Sequence, residues 1–233
     1  MNWLRLFLAL ALWPGVGATG MSLGRLVRAA ASSPSFSWWA AGCFAGGWVL
    51  SGLAYLFLPR PRGIYVLGHE LSHALAVWLS GGKVHSLQVA DQGGRVVSNR
   101  TSAWITLAPY IFPLYPLLAG VLWLAALQIW PVLAGYQLAF LGIWGAVWGY
   151  HYAFTVDLLR THQPDFLVYG RIFSLTLIAL ANLLLAMALV WSFFRPVTLM
   201  ALLADLVRDW AWIYGEGVHW LSGLLLRSLP PPA

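Results

Sequence analysis

The chain has 233 residues, 61% of them apolar and 9% charged, against roughly 45–50% and 25% in soluble globular domains. That is too little polar surface to cover a fold in water, so long apolar runs must be membrane helices that satisfy their own backbone groups. The net charge of +6 comes from basic residues that flank apolar runs, a pattern that fits lipid headgroups and argues against nucleic acid as a partner. The 15 Trp and 9 Tyr suit interfacial belts. The single cysteine, Cys43, excludes an intrachain disulfide.

Residues 3–13 (WLRLFLALALW), with Arg5 near the front and Gly17, Ala18 and Gly20 behind, have the outline of a secretory signal peptide. Their length suits an uncleaved anchor or an interfacial helix as well, and both are preferred to cleavage. Residues 36–58 form an apolar span closed by Pro59-Arg60-Pro61-Arg62, which stops a helix and sets two cations at an interface. Residues 63–79 are apolar apart from His69, Glu70, Ser72 and His73, and they end at Gly81-Gly82, a helix terminus. A span with ionisable groups at depth is expected there.

The composition then turns polar, and VHSLQV and RVVS around Asp91-Gln92-Gly93-Gly94 predict a short β-hairpin between Val84 and Val97. Two further spans follow at 104–130 and 132–154, divided by Pro131, with Pro109, Pro113 and Pro116 bending the first. A polar patch over 157–171 leads to the last span, 172–194. Beyond Pro196, Asp205, Arg208, Asp209 and Glu216 alternate with Leu, Val and Trp, which predicts an amphipathic helix on the surface or packed against the bundle.

The expected fold is thus an all-α polytopic membrane protein, a bundle of about five to six membrane helices with one short β-hairpin. It reads as a single domain over 1–233: an N-terminal apolar segment and loop at 1–35, a bundle at 36–194, and an amphipathic C-terminal helix at 195–233. Spans drawn this way place Lys83, Arg95, Arg100, Arg160 and Arg171 on the cytoplasmic side, opposite Arg60, Arg62 and Arg195.

Chemistry concentrates at His69-Glu70-Leu71-Ser72-His73, an HExxH motif within a predicted helix. Residues i and i+4 share a helix face, so both imidazoles can reach one metal ion while Glu70 handles a proton on its water. Zinc can lower the pKa of that water from 15.7 to about 7 and so supply a nucleophile for peptide hydrolysis. The competing reading is a chance set of polar residues lining a water cavity. Each ionisable side chain in a bilayer costs roughly 2.5–3.5 kcal/mol on insertion scales, so three within one turn and a half call for a compensating function.

The stretch LGHELSHALAVWLSGGKVHSLQVADQGG, followed by APYIFPLYP, resembles the site-2 protease family of intramembrane zinc metalloproteases, in particular its short, PDZ-free branch. The likeness covers 67 to about 116 and extends more weakly to about 175. It implies zinc as cofactor and, as third ligand, an aspartate on a later segment, commonly in LDG or NPDG. Neither motif stands here. Asp157 and Asp165 are the candidates, and Asp165 is preferred because it follows Pro164 at the entrance to an apolar segment, although Phe166 stands where glycine is expected. Relatives commonly have glycine at the place of Ser72, a change of small for small. His151 and His162 are alternative ligands on paper, but a Tyr-His-Tyr at the end of a span suits an interfacial or outer-layer histidine better. His85 and His219 read as surface residues.

The resemblance implies an endopeptidase that cleaves a transmembrane or juxtamembrane segment of a membrane-protein substrate, with His69, His73 and Asp165 on zinc and Glu70 as catalytic base. The hairpin edge could accept an extended substrate as an added strand, or serve only as a connection. The chain would then sit in the lipid bilayer as a multi-pass protein, in the cell membrane if bacterial. The alternative is a non-proteolytic membrane protein with a structural or metal-handling zinc site. Transporters commonly show paired polar spans and inverted repeats, and neither is visible here. A pseudoprotease scaffold fits poorly with the intact His69, Glu70 and His73.

Overall fold

The computed structural model describes residues 3–34, 36–90, 93–160 and 164–228. Each apolar run is helical. In chain order the elements are α1 (Trp3–Ala31), α2 (Trp38–Phe57), α3 (Arg62–Leu79), β1 (Val84–Ala90), β2 (Gly93–Ser98), α4 (Ala103–Ile111), α5 (Leu114–Ile129), a 3-10 turn (Pro131–Tyr136), α6 (Gln137–Arg160), α7 (Pro164–Tyr169), α8 (Arg171–Phe194) and α9 (Leu199–Ser228). The turn residues Asp91 and Gln92, together with His162 and Gln163, lie outside the described residues.

Four helical segments among the described residues are long and apolar enough to cross a membrane: α1, α2, the 3-10 turn with α6, and α8. The α4–α5 pair, bent by 66°, is a fifth if it counts as one broken span. With that pair the count reaches the lower end of the five to six expected; α3, whose eighteen residues include Arg62, His69, Glu70 and His73, does not qualify. The exterior is apolar. No residue of α2 is buried, and Trp38, Leu50 and Phe57 on α2 and Val121, Leu122 and Leu124 on α5 are exposed, a surface that suits lipid.

The chain divides into two compact units, Met1–Phe36 with Tyr169–Ala233, and Ser37–Val168. Helix α8 packs with α1 in the first of these units. In this first unit α9 also lies along α1, where its buried Asp209 accepts hydrogen bonds from Ser22 and Arg25. Trp210 donates to Thr19 Oγ1 at 3.0 Å, and Tyr214 to the Ala11 carbonyl at 2.6 Å. The N-terminal run is thus one helix packed against α8 and α9.

In the second unit α2 and α6 run parallel in close contact. A Cβ on Gly47 would strike the Gly142 carbonyl, and Cβ atoms on Gly145 and Gly149 would strike the carbonyls of Phe44 and Trp48. Gly145 and Gly149 are four apart, the spacing that lets helix backbones approach in a membrane. Further along, Tyr55 meets Phe154 edge to face at 4.7 Å and Arg60 meets Asp157 at 3.4 Å. Arg60 and the C-terminal end of α6 are therefore neighbours, which corrects the placement of Arg60 and Arg160 on opposite sides.

The helix α3 ends as its glycines predict. Gly81 takes φ +68°, its N–H bonds the Trp78 carbonyl at 2.9 Å, and the Gly82 N–H bonds the Val77 carbonyl at 2.8 Å, a Schellman terminus. The hairpin then folds back along α3. β1 and β2 pair antiparallel from Val84–Ser98 to Ala90–Gly93, with an irregularity between Val84 and Ser86. Gly82 lies against Val77 and Gly94 against Glu70, so the hairpin tip reaches the polar turn of the helix.

Candidate metal centre

Helix periodicity brings His69 and His73 together on α3, with ring centroids 4.9 Å apart. The third group arrives from far along the chain: Asp165, in the first turn of α7, places Oδ2 3.4 Å from His69 Nε2 and 3.7 Å from His73 Nε2. One ligand atom from each of the three residues lies within 4.8 Å of the others. Tetrahedral bonds of roughly 2.0–2.1 Å put zinc ligand atoms about 3.3 Å apart, so the donor set fits that ion in chemistry and spacing. The three side chains are half-buried to buried, Asp165 being the most exposed at 22%. Burial alone would raise the Asp165 carboxyl, but the two imidazoles beside it outweigh that and hold it below the usual carboxylate range.

Surrounding groups orient these side chains. The Ile105 carbonyl of α4 lies 2.8 Å from His73 Nδ1, so an Nδ1–H donated there leaves Nε2 free to face the centre. That carbonyl is available for a covalent reason. In an α-helix it would accept from the N–H four residues on, which is residue 109, and Pro109 has no N–H. Ser102 caps the same helix, its hydroxyl accepting from the Ile105 N–H at 3.2 Å. Tyr110, fully buried, donates its hydroxyl to Asp165 Oδ2 at 2.9 Å, and Phe166 packs on the Tyr110 ring at 4.7 Å. Phe166, which stands where glycine was expected, thus backs the tyrosine that holds the carboxylate.

Glu70 is 6% exposed on the same helix, and its side chain fills the space a Cβ on Gly94 would need. The hairpin tip and the acid are in contact. Ser72 is turned to its own helix, donating to the Gly68 carbonyl at 2.7 Å.

Asp157 lies elsewhere. Its Oδ2 accepts from Tyr55 at 2.6 Å and meets Arg60 at 3.4 Å, and its side chain is 41% exposed. These partners come from α2 and the segment after it. His151 is buried on α6 outside the three-residue group, while His85 and His219 are exposed. His162, the other paper ligand, is outside the described residues. Sequence reasoning missed Ile105, Tyr110 and Gly94; Pro109 four residues after Ile105 was the one readable signal among them.

No family model, curated protein or solved structure matches the chain.

Proposed function

We propose that this chain is an intramembrane zinc metalloendopeptidase of the site-2 protease kind, the family that residues 67–116 resemble. One observation carries the reading: an HExxH pair on α3 meets a carboxylate from a distant helix at separations that suit a tetrahedral ion. His69, His73 and Asp165 would hold zinc, which supplies the Lewis acidity that makes water a nucleophile near neutral pH. Glu70 takes the proton from the attacking water and passes it to the leaving amine. Tyr110 holds the Asp165 carboxylate in place, and Ile105 fixes the ring of His73.

The proposed substrate is a membrane-protein segment, presented in extended form. The two-stranded sheet has no third strand among the described residues, and its tip lies against Glu70, so a strand added to its edge runs toward that carboxylate.

Zinc content and peptide-bond cleavage of detergent-purified protein test this, with a panel of transmembrane peptides as probe. Wild type should hold about one zinc equivalent, as one three-ligand site requires, and cleave. The double variant His69→Ala, His73→Ala should lose both properties. Glu70→Gln should keep zinc and lose roughly 100- to 10,000-fold in rate, the usual contribution of a general base. Wild type that binds zinc tightly yet cleaves no peptide bond in any probe would leave the structural or metal-handling alternative in its place.

A further inference from the structure

Behind His69 lies a cavity of about 20 Å³ bounded by α3, the α4–α5 bend and α6. Its polar wall comprises Tyr65, His69, Ser72, Tyr115, Tyr150 and His151. Three of these six are already engaged with main-chain carbonyls: Ser72 donates to Gly68, Tyr115 to Ile64, and Tyr150 to Pro61. The other three each present a buried polar atom without a protein partner, namely Tyr65 Oη, His69 Nδ1 and His151 Nε2. Buried polar groups are rarely left unmet, and each costs roughly 1–3 kcal/mol if it is. All three residues line one small space, which points to a shared partner.

The space has the size for it. A void needs roughly 10–15 Å³ to admit a water molecule, and the water needs two to four polar partners; this cavity exceeds that minimum by less than a second water's share and offers three partners. We infer that an ordered water occupies it, bonded to His69 Nδ1, Tyr65 Oη and His151 Nε2, and that through this water His151 is a positioning residue for His69. The inference rests on the metal-site reading above.

The proton inventory closes. With His69 Nε2 turned to the metal centre, its Nδ1 carries hydrogen and donates to the water. The water donates one hydrogen to His151 Nε2 and exchanges its remaining bond with the tyrosine hydroxyl, which can give or accept. His73 has the Ile105 carbonyl for the same purpose. The two imidazoles are thus oriented by different means, one by a carbonyl freed by proline and the other by a water held from α6.

Cobalt(II) titration, followed by its visible absorption in detergent, tests this alongside an experimental structure that resolves ordered solvent. His151→Leu keeps the volume but offers no acceptor, and should weaken cobalt binding by roughly 10- to 100-fold, as loss of an outer-layer partner does. His151→Gln, which can still bond the water, should restore most of that affinity. Tyr65→Phe removes one oxygen alone and should cost less than His151→Leu. Solvent density bonded to all three atoms, with this order of affinities, supports the proposal. A dry cavity overturns it, as does cobalt binding that His151→Leu leaves unchanged or that His151→Gln fails to rescue. Wild-type protein that takes up no cobalt at all instead overturns the metal-site reading itself.

Discussion

At the scale of single residues, the choice between two aspartates is a matter of who their neighbours are. Asp165 has two imidazoles and a tyrosine hydroxyl around one oxygen, whereas Asp157 has a tyrosine and an arginine near solvent. Asp165→Asn should therefore abolish stoichiometric zinc binding and cleavage. Asp157→Asn should keep both and lose stability by no more than about 1 kcal/mol, the range of an exposed ion pair. Elemental analysis and thermal unfolding of the two variants check this, and the reverse pattern would assign the ligand to Asp157. Pro109 allows a subtler test. Pro109→Ala returns an N–H to α4, which then shares the Ile105 carbonyl with His73. Because a carbonyl can accept twice, zinc affinity should fall by only about 10-fold, the low end for an outer-layer partner. Competition with a chromophoric chelator measures it, and unchanged affinity would remove the proline from this role.

At the scale of elements, close backbone approach decides what packs with what. Helix α6 meets α2 through Gly142, Gly145 and Gly149, and those contacts are with main-chain atoms that cannot rotate away. Gly145→Ala should cost about 1–3 kcal/mol, the usual penalty of overpacking. Gly42→Ala, whose new Cβ would meet nothing within 4 Å, should be neutral or slightly stabilising. The difference in unfolding midpoint between the two variants in detergent is the readout; equal midpoints would contradict the packing described. The hairpin follows the same logic on α3, because Gly94 leaves room for Glu70 where any side chain would displace it. The hairpin tip and Glu70 are thereby coupled in space.

For the molecule as a whole, parallel packing of α2 and α6 constrains how the chain threads a bilayer. Two parallel spans require an odd number of crossings between them, while two were expected there, α3 and the apolar run 104–130. α3 lacks the apolarity of a span and α4–α5 is a bent pair, so a single broken crossing satisfies the constraint. Positions 60 and 160 should then face the same side. In a Cys43→Ser background, Arg60→Cys and Arg160→Cys should react with a membrane-impermeant maleimide from one face of sealed vesicles. Labelling from opposite faces would refute the arrangement.

What the sequence determined by itself is what a single segment can express. The apolar runs dictated helices because a lone segment in lipid satisfies its own backbone polar groups only as a helix; Gly81 dictated the end of α3; and the four-residue spacing of His69 and His73 put two imidazoles on one face wherever that helix lies. The hairpin was legible from its alternation and its glycines. The sequence favoured Asp165 over Asp157 for its place after Pro164, but only the tertiary structure decided which carboxylate meets the histidines, because that depends on where the fold carries each acid. It alone paired α8 with α1, because an apolar helix surface can pack on many partners and the choice depends on shape. It also revealed that Pro109, legible as a bend, frees a carbonyl for His73: the missing N–H is written in the sequence, but the imidazole that uses it comes from another helix.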